Sequence, residues 1–141
     1  MSSDSYASFE FYIPYNTDEE RKWLEENIGE DDFLLLQSDP NDQYTEMEES
    51  DKFEKTMVIN SNGSTEVPWD FDEQVKHLWD KLKADGFTMT GFVRMDCGGE
   101  FYRGDIGKDG IIEYESLTDF ADYPVWLLRE LKSKAEELKQ R

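Results

Sequence analysis

The sequence predicts an α+β fold: a mostly antiparallel sheet of about six strands, with three helices packed mainly on one face. Three patterns predict it. Residues 6–13 alternate apolar and polar side chains, as a half-buried strand does. Residues 70–85 place their apolar side chains at helical spacing instead. Residues 87–117 contain strand-like runs separated by short glycine-containing turns, which is typical of an antiparallel meander.

Helices are predicted near residues 17–28, 70–85 and 123–139. The first has a capping box, because Glu20 lies three residues after Thr17. Asp70 is the expected N-cap of the second helix, and Pro124 suits the first turn of the third. Each of these segments has apolar side chains along one side of the predicted helix, and we expect that side to be buried against the sheet.

Further strands are predicted at residues 32–37 and 55–60, and in the meander at 87–96, 100–106 and 111–117. With no visible linker or repeat, we expect one domain over residues 1–141. Trp69 and Trp126 are expected in the core, although exposure of either would favour a structural or oligomeric role. The predicted core also includes Phe9, Phe11, Trp23, Leu35, Val58, Leu78, Trp79, Leu82, Val93 and Leu128.

The net charge of −19 is distributed unevenly along the chain. Residues 1–54 hold 17 acids and three bases, whereas residues 55–141 hold 17 acids and 12 bases. Such a field repels nucleic acid and anionic membranes and attracts basic surfaces. An equally simple interpretation is that the acids only keep the protein soluble.

Residues 39–54 have many acids and few apolar side chains, so we expect a solvated loop or a loosely held helix there, and a mobile acidic segment. With the first helix it predicts a surface for a basic protein partner, such as a nucleic-acid-binding protein whose site the chain occupies as a nucleic-acid mimic. The predicted partner-binding residues are Asp18, Glu25, Glu26, Glu30, Asp31, Asp39, Asp42, Glu46, Glu48, Glu49 and Asp51.

Residues for catalysis or metal binding are few. His77 and Cys97 are single, so they cannot supply a four-ligand zinc site, and neither has an activating partner in the sequence. Glycines between residues 104 and 110 match no phosphate-binding loop. We therefore predict no catalytic residues and no cofactor. A single cysteine and the lack of a signal sequence or apolar span predict an intracellular, cytoplasmic protein.

An alternative function uses carboxylates of the predicted meander. Four acids fall on its adjacent strands: Glu100, Asp105, Glu113 and Glu115. Two or three of them could converge on Mg²⁺ or Ca²⁺, or act as an acid–base pair. This pattern would make the chain a metal-dependent enzyme or a divalent-cation-binding domain.

Residues 86–115 contain a strand with an internal glycine, a Gly-Glu turn at Gly99, a Gly-Asp pair at Gly104 and an Asp-Gly turn at Asp109. This segment resembles small uncharacterised proteins of phages and bacteria. The resemblance implies a three-stranded meander preceded by a helix, and it brings no known activity or active-site residues.

Overall fold

A computed structural model describes residues 5–37 and 45–117 of the chain. In this part, three helices and seven strands occur, and all seven strands belong to one sheet. The helices are α1 (Asp18–Asn27), α2 (Glu30–Leu34) and α3 (Phe71–Ala84). The strands are β1 (Ser5–Pro14), β2 (Glu46–Glu49), β3 (Thr56–Asn60), β4 (Thr65–Val67), β5 (Thr90–Cys97), β6 (Glu100–Ile106) and β7 (Ile112–Ser116).

The sheet is antiparallel throughout and has the order β2-β3-β1-β5-β6-β7. One side of β1 pairs with β5, and the other side pairs first with β4 and then with β3. The long central strand therefore organises the sheet, with β2 and β7 as the outer strands of the described order. The predicted α+β fold and the meander β5-β6-β7 are confirmed.

The core lies between one face of the sheet and the helices. Ala7, Phe9, Phe11 and Ile13 alternate along β1 and are fully buried. They share one apolar cluster with Leu24 of α1 and with Val75, Leu78 and Leu82 of α3. Because the buried residues of both longer helices belong to one cluster with the buried face of β1, both helices lie on that face of the sheet.

The helix ends show which capping predictions are correct. The Glu20 amide donates to Thr17 Oγ1 at 3.1 Å, and the Thr17 amide donates to Glu20 Oε1 at 3.4 Å, so the predicted capping box of α1 is present. Asp70 does occupy the N-cap of α3, but its side chain accepts no capping bond. It instead accepts a bond from Gln74 Nε2 at 2.9 Å.

The predicted strand at residues 32–37 is wrong, because α2 occupies Glu30–Leu34. The Gly29 amide donates to Asp32 Oδ2 at 3.0 Å, and this local bond favours a helical turn over an extended chain. Leu35, predicted for the core, is 53% exposed, and Leu36 is buried in its place. A short apolar run fits a buried strand and a buried helical turn equally well.

The acidic segment also differs from its prediction. Residues 46–49 form strand β2 rather than the predicted loop or loosely held helix, since Met47 packs against the core and the strand pairs with β3. Strand β4 was not predicted at all. Asp39 and Asp42, the third predicted helix, Leu128 and Trp126 lie outside the described residues.

Of the remaining residues predicted for the core, some are buried and others are not. Trp69 is 93% exposed, so its predicted place in the core is wrong. Trp23 and Trp79 are only partly buried, at the margin of the core. The confirmed core residues are Phe9, Phe11, Val58, Leu78, Leu82 and Val93. No helix within residues 5–37 and 45–117 is long and apolar enough to cross a membrane.

Candidate functional site: an acidic edge

Helix α1 and the outer strand β2 meet through Glu49. Arg21 Nε donates to Glu49 Oε1 at 2.7 Å, and the Tyr15 hydroxyl donates to Glu49 Oε2 at 2.6 Å. Arg21 also lies 3.8 Å from Glu25 one helical turn further on. These contacts bring residues 28 positions apart to one border of the sheet. The acidic edge is the set Asp18, Glu25, Glu46, Glu48, Glu49 and Asp51.

The first helical turn adds a further charge to this border. The hydrogen bond to Glu49 raises the pKa of Tyr15, and the charge of Asp18 acts in the same direction. Asp18 and Glu25 are seven residues apart, about two helical turns, and therefore share one face of α1. Both are exposed.

Glu46 and Glu48 lie on the other face of β2 from Glu49, because side chains alternate along a strand. A hydrogen bond with Glu46 raises the pKa of Glu48 above its ordinary value of 4.5, and the charges of Glu46 and Asp51 act in the same direction. The neighbouring carboxyls of Glu46 and Asp51 therefore disfavour ionisation of Glu48. The acidic edge therefore wraps around β2 from the helix side to the open side of the sheet.

The chemistry available at this edge is electrostatic. It contains carboxylates, a phenol and an arginine, and the arginine is already bound to two of the acids. Exposed carboxylates held on a strand and a helix present fixed negative charge to an approaching cation. Such a surface suits recognition of positive charge more than bond making or bond breaking.

Three predicted site residues lie apart from this edge. Glu26 is exposed on α1, but it points to a different side of the helix from Glu25, because successive residues are about 100° apart around the axis. Glu30 and Asp31 lie in the first turn of α2, next to Asp32, which pairs with Lys81 of α3 at 3.2 Å. Asp32 therefore joins α2 to α3, while Glu30 and Asp31 are exposed beside this contact.

The open face of the sheet has mixed charge. Lys52 pairs with Glu10 at 3.1 Å, and Arg94 and Arg103 stack on the Phe92 ring at 4.8 and 4.6 Å from its centroid. These arginines were not singled out from the sequence, although alternation along the predicted strands places Phe92 and Arg94 on one face. The open face of the sheet therefore carries cationic side chains, in contrast to the acidic edge.

Of the residues considered for catalysis or metal binding, Asp105 and Glu113 lie directly opposite each other on β6 and β7, and Glu115 lies opposite Arg103. His77 is exposed on α3, and Cys97 Sγ accepts a hydrogen bond from the Ser5 hydroxyl at 3.4 Å. In the meander, Glu100 accepts from Tyr102, and Asp105 pairs with Arg103 at 3.2 Å. Within the described ranges, no three His, Cys, Asp or Glu residues lie close enough together to hold a metal ion.

Comparison with known proteins finds no family, no curated protein and no solved structure that matches this chain.

Proposed function

We propose that the chain is a non-enzymatic acidic binding protein whose acidic edge engages a basic protein surface. The observation that carries the proposal is the assembly of six carboxylates on the two faces of one border, formed by α1 and the β2 region. Arg21 pairs with Glu25 and Glu49, and Glu48 lies beside Glu46 and Asp51. In the fuller form of the proposal, the partner is a nucleic-acid-binding protein, and the chain occupies its site as a phage-type inhibitor.

The geometry of β2 supports mimicry of a phosphate backbone. Residues two apart on a strand lie about 6.8 Å apart, which is twice the rise of about 3.4 Å per nucleotide along one DNA strand. Glu46 and Glu48 have this spacing between their backbone positions, which pairing with β3 holds in place, and their carboxyls hydrogen-bond to each other. A rigid array of charge gains more from a basic partner than a flexible one, because less conformational entropy is lost on binding.

To test this, the partner is first captured by affinity pull-down with this chain as bait, and it is then purified. Its affinity is measured for the wild type and for an edge variant with Glu25→Gln, Glu46→Gln, Glu48→Gln and Asp51→Asn. Glu49 is left intact because it joins α1 to β2. We expect weaker binding of the variant, and slower association of the wild type as the Debye length falls to about 8 Å at physiological salt.

The control is a meander variant with Glu100→Gln, Asp105→Asn, Glu113→Gln and Glu115→Gln. Both variants raise the net charge of −19 by four, so they differ only in where charge is removed. A partner that binds the edge should distinguish them, and DNA should compete with the chain for that partner. Equal affinity of wild type and edge variant at every salt concentration would leave the acids a solubilising role only.

A further inference from the structure

The side of strand β7 that faces away from β6 lies beside α3. Among residues 5–37 and 45–117, β7 pairs with β6 alone. The Gly107 amide donates to the Ile111 carbonyl and the Leu117 amide donates to the Phe101 carbonyl, both at 2.8 Å. Because pairing alternates along an antiparallel strand, the backbone groups of Ile112 and Tyr114 point away from β6.

Two grooves lie between this edge and the N-terminal half of α3. The first, of about 280 Å³, is lined by Ile111, Ile112, Asp72, Glu73, Lys76 and His77. The second, of about 220 Å³, includes Trp69, Tyr114 and Met95 and shares Asp72 and Glu73 with the first. The Tyr114 hydroxyl donates to Asp72 Oδ1 at 2.6 Å, and Asp72 lines both grooves.

The spacing of the grooves matches an added strand. Ile112 lines the first groove and Tyr114 lines the second, and these residues are two apart on the same face of β7. An extended peptide paired with β7 repeats its side chains at the same interval, about 6.8 Å. Its alternate side chains would therefore enter the two grooves in turn.

The exposed side chains define the chemistry of the occupant. Ile111 is 58% exposed beside the first groove, which suits an aliphatic side chain. Trp69, 93% exposed, lies at the second groove with Asp70, Asp72 and Glu73. An aromatic face surrounded by carboxylates suits arginine or lysine, which gains both a cation–π contact and charge attraction.

Two features hold the grooves in shape before a peptide arrives. The turn at Gly110 has φ +79°, and a Cβ there would lie 2.6 Å from ring carbons of Trp79, so the β6–β7 turn packs directly on α3. Burial, followed by the hydrogen bond to Asp72, raises the pKa of Tyr114 well above its ordinary value of 10.0, so the phenol remains a donor. A preformed site binds with a smaller loss of entropy.

We propose that β7 and the two grooves bind an extended segment of a partner protein, which adds to the sheet with an aliphatic and a basic side chain two residues apart. A second copy of this chain fits poorly, because the exposed Glu113 and Glu115 of β7 would face like charges on a chain of net charge −19. This surface differs from the acidic edge, so the two proposals can fail independently.

The test titrates the ¹⁵N-labelled full chain with the synthetic peptide TVTRTVT, whose palindromic order allows either strand direction. We expect saturable shifts of the Ile112 and Tyr114 amides and of the Trp69 indole N–H. The peptide TVTETVT is the matched control and should not saturate these shifts. Trp69→Ala, which removes an exposed side chain, should weaken binding of TVTRTVT about tenfold.

Methylated peptides separate strand addition from side-chain docking alone. One version carries N-methyl groups on the valines and arginine, and the other carries them on the threonines. Only one set of amides can face β7, so one version should bind and the other should not. The same response from both versions would overturn the proposal, as would absence of the saturable shifts.

Two further outcomes bear on the proposal. The edge variant described above should bind TVTRTVT like the wild type, and loss of binding there would move the contact to the acidic edge and overturn the proposal. Concentration of the chain alone should leave the Ile112 and Tyr114 amides unshifted. Concentration-dependent shifts at those amides would instead identify a second copy as the occupant and overturn it.

Discussion

At the scale of single residues, Gly91 sets the distance between β1 and β5. It has φ +140°, and a Cβ at this position would lie 2.2 Å from the Glu10 carbonyl oxygen and 2.8 Å from the Phe11 Cα. Because both neighbours are backbone atoms, they cannot move away without separating the two strands. The close approach therefore requires glycine.

We expect Gly91→Ala to lower the free energy of unfolding by about 2–5 kcal/mol, from backbone strain and overpacking together. Gly99→Ala is the control, because Gly99 also has positive φ but open space around it. That variant should lose only about 1–2 kcal/mol from its backbone conformation. Urea unfolding measures both, and equal losses would contradict the role assigned to Gly91.

Glu48 makes a second residue-scale prediction, on pH. Its hydrogen bond with Glu46 raises its pKa in the folded chain, so the protonated form is favoured there. The stability that protonation contributes is present at low pH and is lost as the pH rises through the raised pKa. Glu46→Gln should bring the pKa of Glu48 down towards 4.5, as measured by carboxyl carbon NMR. An unchanged titration would show that Glu46 is not its partner.

At the scale of elements, Arg21 is the connection between α1 and β2. Both partners of this pair are partly exposed, so Arg21→Met should change the free energy of unfolding by less than about 1 kcal/mol. Its effect should instead be local. The Ser50 amide, which donates to the Thr56 carbonyl at 2.8 Å just beyond β2, should exchange its hydrogen faster.

The control for this prediction is Lys22→Met, which removes an exposed positive charge from the neighbouring position of the same helix. Hydrogen exchange at Ser50 should be unchanged in that variant. If both variants accelerate exchange equally, general loss of positive charge rather than the Arg21–Glu49 contact would hold β2 in place.

At the scale of the whole molecule, the net charge of −19 opposes compaction. Raising NaCl from about 0.01 to 0.15 M shortens the Debye length from about 30 to about 8 Å, which screens this repulsion. We expect Tm to rise by about 3 °C, which corresponds to about 1 kcal/mol for a domain of this size. Calorimetry should show a smaller rise for the edge variant, and a Tm that does not depend on salt would contradict the expectation.

The sequence by itself determined the α+β class, helices α1 and α3, and the meander. Local patterns are sufficient for these elements: the Thr17–Glu20 capping box, the Phe71–Leu82 stripe and the Asp109-Gly110 turn each specify a conformation within a few residues. The acidity of residues 1–54 could also be predicted from the sequence, because charge is a property of composition.

Tertiary structure alone decided which acidic side chains contact distant residues and which aromatic side chains are excluded from the core. Glu49 reaches Arg21 across 28 positions, and Asp72 reaches Tyr114 across 42. Strand β2 exists because β3 offers it a pairing edge, and Leu36 replaces Leu35 in the core because α2 turns the chain. Such outcomes depend on contacts between distant segments, whereas periodicity and capping describe only neighbours in sequence.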